Sequence, residues 1–298
     1  MSALGTQGTT GIARMCWLAG VSRASYYRHW QASAPRREEN GLRDEIQRLA
    51  LAHPHYGYRR IAALLGRDGW RVNHKRVLRI MHTDNLLCLR RAPFVPATTD
   101  SKHSWRVMPN LARGLEVTAL DQLWVADITY VHLAEAFIYV AIVLDAYSRK
   151  VIGWALDTHM RAELAIEALE KAIALRNPAP GTLIHHSDRG VQYACLDYTN
   201  LLAVHQIAPS MSRVGNPYDN AKAERFMRTL KQEEVYGSEY RDLTEARARI
   251  GEFIETVYNQ QRLHSALDYL SPEEYEKNLP GSRHGVPHAV IHNMENCH

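Results

Sequence analysis

Three carboxylates stand out among the 298 residues by type and position: Asp127, Asp188 and Glu224. Asp127 sits in "LWVADITYV", a run otherwise apolar apart from Thr129. An ionised carboxylate in a buried strand is costly to desolvate unless a metal or another cation compensates it. Asp188 directly follows the run "TLIHH", at a strand end where α/β sheets commonly display functional groups. Glu224 lies in "GNPYDNAKAERFMRTLKQEEVY", set among Lys222, Arg225, Arg228 and Lys231. Each acid also has an ordinary reading: a satisfied structural aspartate for Asp127, and a helix cap for Asp188. For Glu224 it is an i,i+4 surface ion pair contributing about 0.3–0.5 kcal/mol. The functional alternative is that Glu224 holds a metal together with distant partners.

The elements that must position these groups can be read from periodicity. At about 100° per residue, Glu224, Arg228 and Lys231 project along one helical stripe. Ala223, Phe226, Met227 and Leu230 form the apolar stripe beside it, and Asp219 or Asn220 is the expected cap. Upstream, "QLWVADITYV", "FIYVAIVLD" and "KVIGWALD" predict three consecutive strands, followed by a helix at about 161–176. "GTLIHHSD" then predicts a strand, "YACLDYTNLLAVHQI" a helix and "APSMS" a short strand, before two helices at about 220–236 and 244–260. Strands first, then alternation with helices, indicates an α/β layer fold. Asp145 and Asp157 end the second and third strands and read as turn residues. Asp219 and Asn220 read as orienting the glutamate helix, and Trp124 and Tyr130 as core. His186 reads equally as packed or as touching the site, and Arg149, Arg213 and Arg262 are plausible phosphate contacts.

The N-terminal third has a different character. Residues 1–110 hold 18 Lys+Arg against 7 Asp+Glu, or +11, and residues 111–298 hold 18 against 25, or −7. Such a concentration of positive charge implies a polyanionic partner, nucleic acid first among candidates. "IARMCWLAGVSRASYYRHW" reads as a helix-turn-helix whose second helix, capped by Ser22, presents Arg23, Ser25, Tyr26 and Arg28. After a helix near 39–52 the pattern recurs, with a helix at about 58–66, a glycine turn, Asn73 as cap, and a further helix. That last helix carries His74, Lys75, Arg76 and Arg79 outward, with Val77, Leu78, Ile80 and Met81 inward. Residues 92–120, irregular and rich in proline, read as a linker. No apolar run reaches the roughly 18 residues a membrane helix needs, and no signal peptide is evident, so a cytoplasmic location with no membrane partner is expected. Cys16, Cys88, Cys195 and Cys297 form no CxxC pair, which argues against a structural zinc or a disulfide framework.

Between Asp127 and Asp188 lie 60 residues, and between Asp188 and Glu224 lie 35. With this spacing the chain resembles the DDE transposase and retroviral integrase superfamily. The ordered motifs "WVADITYV", "LDAYSRKVIGW", "HHSDRGVQY", "SRVGNPYDNAKAERFMRTLKQE" and "YNQQRLHSALDYLSPEEYE" are similar to the second-reading-frame (OrfB-type) transposase of the insertion-sequence-three family. The resemblance covers roughly residues 40–277. It implies an RNase H-like integrase core at 121–280, preceded by all-α helix-turn-helix segments at 1–38 and 39–91 and a linker at 92–120. A tail at 281–298 is expected to be poorly ordered.

The resemblance also implies function. Asp127, Asp188 and Glu224 would bind two divalent ions about 3.5–4 Å apart, Mg²⁺ with Mn²⁺ as substitute, for in-line displacement at phosphorus. Lys231, seven residues after the glutamate, would contact DNA near the scissile bond, with Arg228 on the same stripe. The implied substrates are double-stranded element ends, in the form of terminal inverted repeats, and target DNA. A homo-oligomer and an upstream-frame partner protein are implied as partners, in a bacterial, nucleoid-associated setting. No sustained heptad precedes residue 40, in contrast to the upstream frame of fused family members. The rival readings are an RNase H-like nuclease or junction resolvase, and a non-enzymatic DNA-binding regulator.

Overall fold

The structure, a computed structural model, describes residues 12–27, 39–88, 108–133, 136–213 and 219–280. Arg28, most of the expected linker and the tail from 281 lie outside the described residues. The chain divides between Leu89 and Arg90 into two compact units.

In the first unit, α1 (Ile12–Leu18) is followed by a turn and a short helical segment at 23–27. Ser22 Oγ accepts the Ser25 N–H at 3.0 Å, the expected N-cap. Helices α2 (Asn40–Ala52), α3 (Tyr58–Arg67) and α4 (His74–Thr83) bury Leu42, Ile46, Ile61, Leu65, Val77, Ile80 and Met81. Asn73 caps α4 by accepting the Lys75 N–H at 2.8 Å. Leu78 departs from its expected inward place: it is exposed, because the buried stripe of α4 is complete with residues 77, 80 and 81.

The second unit is built on a five-stranded sheet of order β3-β2-β1-β4-β5. Strands β1 (Leu123–His132), β2 (Phe137–Asp145) and β3 (Val151–Asp157) form an antiparallel meander, as the short turns between the three apolar runs require. Strands β4 (Ile184–Ser187) and β5 (Ala208–Met211) add in parallel on the other side of β1. Parallel pairing needs crossovers, and α5 (Ala162–Arg176), α6 (Val191–Ala194) and α7 (Leu196–Val204) supply them. The single helix expected at 193–207 is thus broken at Cys195, whose backbone is extended.

One face of the sheet packs against α5 and α7, through Trp124, Ala126, Ala141, Leu164, Ala168 and Leu202. Close approach there requires Gly153, since a Cβ would lie 2.1 Å from the Ala168 carbonyl oxygen in α5. The opposite face packs against α8 (Ala221–Glu233) and α9 (Leu243–Glu252). From Phe253 to Gln261 the chain continues as a π-helix, and Asn259 pairs with Val151 on the edge strand, accepting its N–H at 3.0 Å and donating to its carbonyl at 2.9 Å. Helix α10 (Pro272–Lys277) is closed by a Ser271–Glu274 capping box, and Ser148 Oγ donates to its Glu276 at 2.6 Å. Much of the motif at 258–276 therefore holds the second unit together. No helix among the described residues is long and apolar enough to cross a membrane.

Candidate active site

Register brings the first two acids together. Leu123, Trp124 and Val125 lie opposite Ile184, His185 and His186, a constant offset of 61 positions. The same offset carries Asp127 to Asp188, the residue after β4 ends. Asp188 thus follows the carboxyl end of β4 beside the strand that carries Asp127, near enough for its charge to act on the Asp127 carboxyl.

Side-chain alternation then selects the face. Leu123, Val125 and Val131 pack with Ala223, Phe226, Met227 and Leu230 of α8, and Asp127 shares their parity. Glu224 lies in the first turn of that helix. The start of α8 is fixed to β1 by Asn220 Nδ2, which donates to the Ala126 carbonyl at 2.9 Å. The expected cap is not made by either candidate side chain: Asn220 is engaged with the strand, and Asp219 accepts from Arg213 and Asn110.

The acids share one electrostatic field. Burial first, then the charges of Asp188 and Glu224, push the Asp127 carboxyl up to about 8, against the opposing Ile128 N–H and Lys231. Glu224 is raised by burial and by Asp188, against the pull of Arg228. Burial lowers Lys231, and Asp127 counteracts this. Asp188 Oδ1 accepts the Gly190 N–H at 2.9 Å.

Three hard anionic oxygen donors suit Mg²⁺ or Mn²⁺ and not a soft metal. Among the described residues, however, no three His, Cys, Asp or Glu side chains already stand grouped closely enough to hold an ion. Glu224 is exposed and lies on α8, outside the sheet.

Other expected site residues resolve into distinct places. Lys231 Nζ lies 4.2 Å from the Tyr130 ring centroid, so Tyr130 is a partly exposed cation–π partner and not core. Arg228 is exposed on the Glu224 stripe. His186 is packed, its ring nitrogens 2.8 and 3.0 Å from Ser210 Oγ and Ser212 Oγ. Asp145 is a buried turn residue accepting the N–H groups of Asp121, Tyr147 and Ser148. Arg213 is paired with Asp219, and the buried Arg262 forks onto Glu233 at 2.9 and 2.7 Å, so both guanidinium groups hold carboxylates in this structure. Arg149 is half-buried, and desolvation lowers it.

In the first unit Arg23, Lys75, Arg76 and Arg79 are exposed. Arg76 and Arg79 both donate to the buried Glu39, at 3.1 and 2.8 Å. The sequence reading missed this contact because the residues lie 37 and 40 positions apart.

Comparison with known proteins identifies the family. Residues 118–217 and 205–272 each match an integrase core domain, and residues 36–94 match an HTH-like domain. The chain is 38% identical over 268 residues to an uncharacterized 31 kDa protein of insertion element IS600 from Shigella sonnei, covering 88% of this chain and 97% of that protein. It is 34% identical over 280 residues to the transposase InsF of insertion sequence IS3A from Escherichia coli, covering 92% and 96%. Among solved structures it is similar to the HTLV-2 integrase catalytic core domain in complex with magnesium, at 14% identity and a TM-score of 0.42, covering 57% of this chain and 99% of that one. The integrase-core matches and the strand order together bear out the RNase H-like class.

Proposed function

This chain belongs to the insertion-sequence-three (IS3) family of transposases, and on that premise we propose that Asp127, Asp188 and Glu224 are its catalytic triad for cleaving element ends and joining them to target DNA. The observation that carries the reading is the β1–β4 register, whose offset of 61 positions extends from its three residue pairs to Asp127 and Asp188, with Asp127 on the sheet face covered by the helix bearing Glu224.

The three carboxylates would hold two Mg²⁺ ions, or Mn²⁺ in their place, which supply Lewis-acid stabilisation of charge at phosphorus. With its carboxyl at about 8, Asp127 holds a proton at neutral pH when no cation offsets its neighbours, so loading the site releases protons. Arg228 and Lys231, about one and two turns along the Glu224 stripe, hold DNA phosphates beside the acids. Asn220 keeps the glutamate helix against β1. Arg23, Arg28, Lys75, Arg76 and Arg79 supply phosphate contacts on the helix-turn-helix segments, which recognise the terminal inverted repeats of the element. Synapsis of two ends calls for at least a dimer, with an upstream-frame protein as a further partner. The place of action is the bacterial cytoplasm, on nucleoid DNA.

The test uses duplexes carrying the element's own ends. Asp188→Asn and Glu224→Gln should each lower Mg²⁺-dependent cleavage by at least about a hundredfold while end binding changes by less than about threefold. Normal cleavage by either purified variant removes that residue from the triad.

A further inference from the structure

A cavity of 570 Å³ opens beside Lys231, walled by Tyr130, His132 and Phe137 from the β1–β2 hairpin and by Tyr236 beyond α8. The site described above does not use it. Strand β4 pairs with β1 only over Leu123–Val125, and Tyr130 and His132 lie beyond that pairing, on the part of β1 that runs on past Asp127.

The walls are arranged rings. Phe137, paired across the hairpin with His132, meets the His132 ring edge-on at 4.8 Å and the Tyr130 ring edge-on at 5.7 Å. Even so, Phe137 is 51% exposed, so this aromatic cluster is open on one side. Lys231 sits at the boundary, its ammonium over Tyr130 and in the field of Asp127. A polar rim completes the cavity with Ser238 and Glu239, whose oxygens can accept from an exocyclic amine or ring N–H.

We propose that this cavity receives one unstacked nucleobase of the bound DNA, from the nucleotide next to the phosphate held by Lys231. The occupant follows from three features together. A flat π-system is what open aromatic edges and faces take up, stacking a base without regard to its identity. The volume falls in the range of small-molecule sites and far exceeds what a single side chain needs. The cation at the mouth matches the backbone phosphate that must accompany the base. An extruded base would also hold the scissile strand fixed relative to the three acids, as enzymes acting on DNA do when they draw one nucleotide out of the stack.

This inference rests on the DNA-processing reading, so its test is a binding measurement made on the full chain with or without catalysis. Duplexes of the element's own ends carry the fluorescent base analogue 2-aminopurine at each of the last few positions in turn, and strand transfer is measured in parallel. At one position near the 3′ end, the wild-type protein should change the fluorescence at least about twofold, and an abasic nucleotide there should bind at least as tightly as the intact one. Phe137→Ala, a change at an exposed ring, should remove the fluorescence change and weaken end binding about tenfold, whereas Phe137→Tyr should retain both.

Uniform fluorescence at every position, or a Phe137→Ala protein that matches wild type, overturns the cavity's assignment. If strand transfer is normal in that case, the triad reading stands. A position-specific signal without strand transfer supports the cavity and counts against the triad reading instead.

Discussion

Asp127→Asn should make the metal-free protein more stable at pH 8. The native carboxyl is raised from 3.8 to about 8 by burial and by Asp188 and Glu224, whereas the unfolded one stays near its ordinary value. Between those two values the native state binds more protons than the unfolded state, so stability falls as pH rises through this window. At about 1.4 kcal/mol per unit, the shift sets a ceiling near 6 kcal/mol above pH 8. Relaxation and an effective dielectric above that of a dry interior reduce this to about 2–4 kcal/mol.

Asparagine removes the charge but keeps an oxygen for the Ile128 N–H, which Asp127 Oδ1 accepts at 2.9 Å. For a domain of this size the gain corresponds to a rise in Tm of roughly 5–15 °C. Calorimetry in a chelating buffer at pH 5 and pH 8 would show the variant's advantage at pH 8 and its fall to about a third of that at pH 5, closer to the unfolded value of 3.8. Adding Mg²⁺ should stabilise wild type and not Asp127→Asn. Asp145→Asn serves as the contrast: Asp145 accepts N–H groups on both oxygens, so an amide there turns a donor on a donor and should destabilise at every pH, by about 1–3 kcal/mol. An Asp127→Asn protein that melts at or below wild type at pH 8 refutes the electrostatic account of the acid cluster.

Three further outcomes are expected. Lys231→Ala should reduce strand transfer on pre-cleaved ends about tenfold or more while costing under about 1 kcal/mol of stability, the scale of its cation–π contact with Tyr130; equal transfer at matched concentration and low salt would return Lys231 to a surface role. Removing residues 1–91 should abolish footprinting of the element ends, and the intact chain's binding should weaken steeply with salt, reflecting the +11 charge of residues 1–110. Glu39→Gln should free Arg76 and Arg79 and tighten binding to arbitrary duplex DNA roughly three- to tenfold at low salt; an unchanged titration would mean that these arginines do not face DNA.

Periodicity alone determined the elements. The three apolar runs became the meander, the stripe at 223, 226, 227 and 230 became the buried face of α8, and Ser22 and Asn73 cap as read, because each depends on residues close in the chain. Asp127 could be singled out for the same reason, since a charge inside an apolar strand is anomalous within its own ten residues. The nearness of Asp188 and Glu224 that raises the Asp127 carboxyl was not written locally. It depends on β4 pairing with β1 in one particular register and on which sheet face α8 covers. Contacts spanning long stretches of chain decided the remainder. Asn220 reaches Ala126 instead of capping its helix, Arg262 is bound by Glu233, Glu39 gathers two arginines, and Tyr130 meets Lys231 at the mouth of an aromatic cavity. A polar or aromatic side chain offers several partners of similar energy, and only the packed chain settles which is within reach.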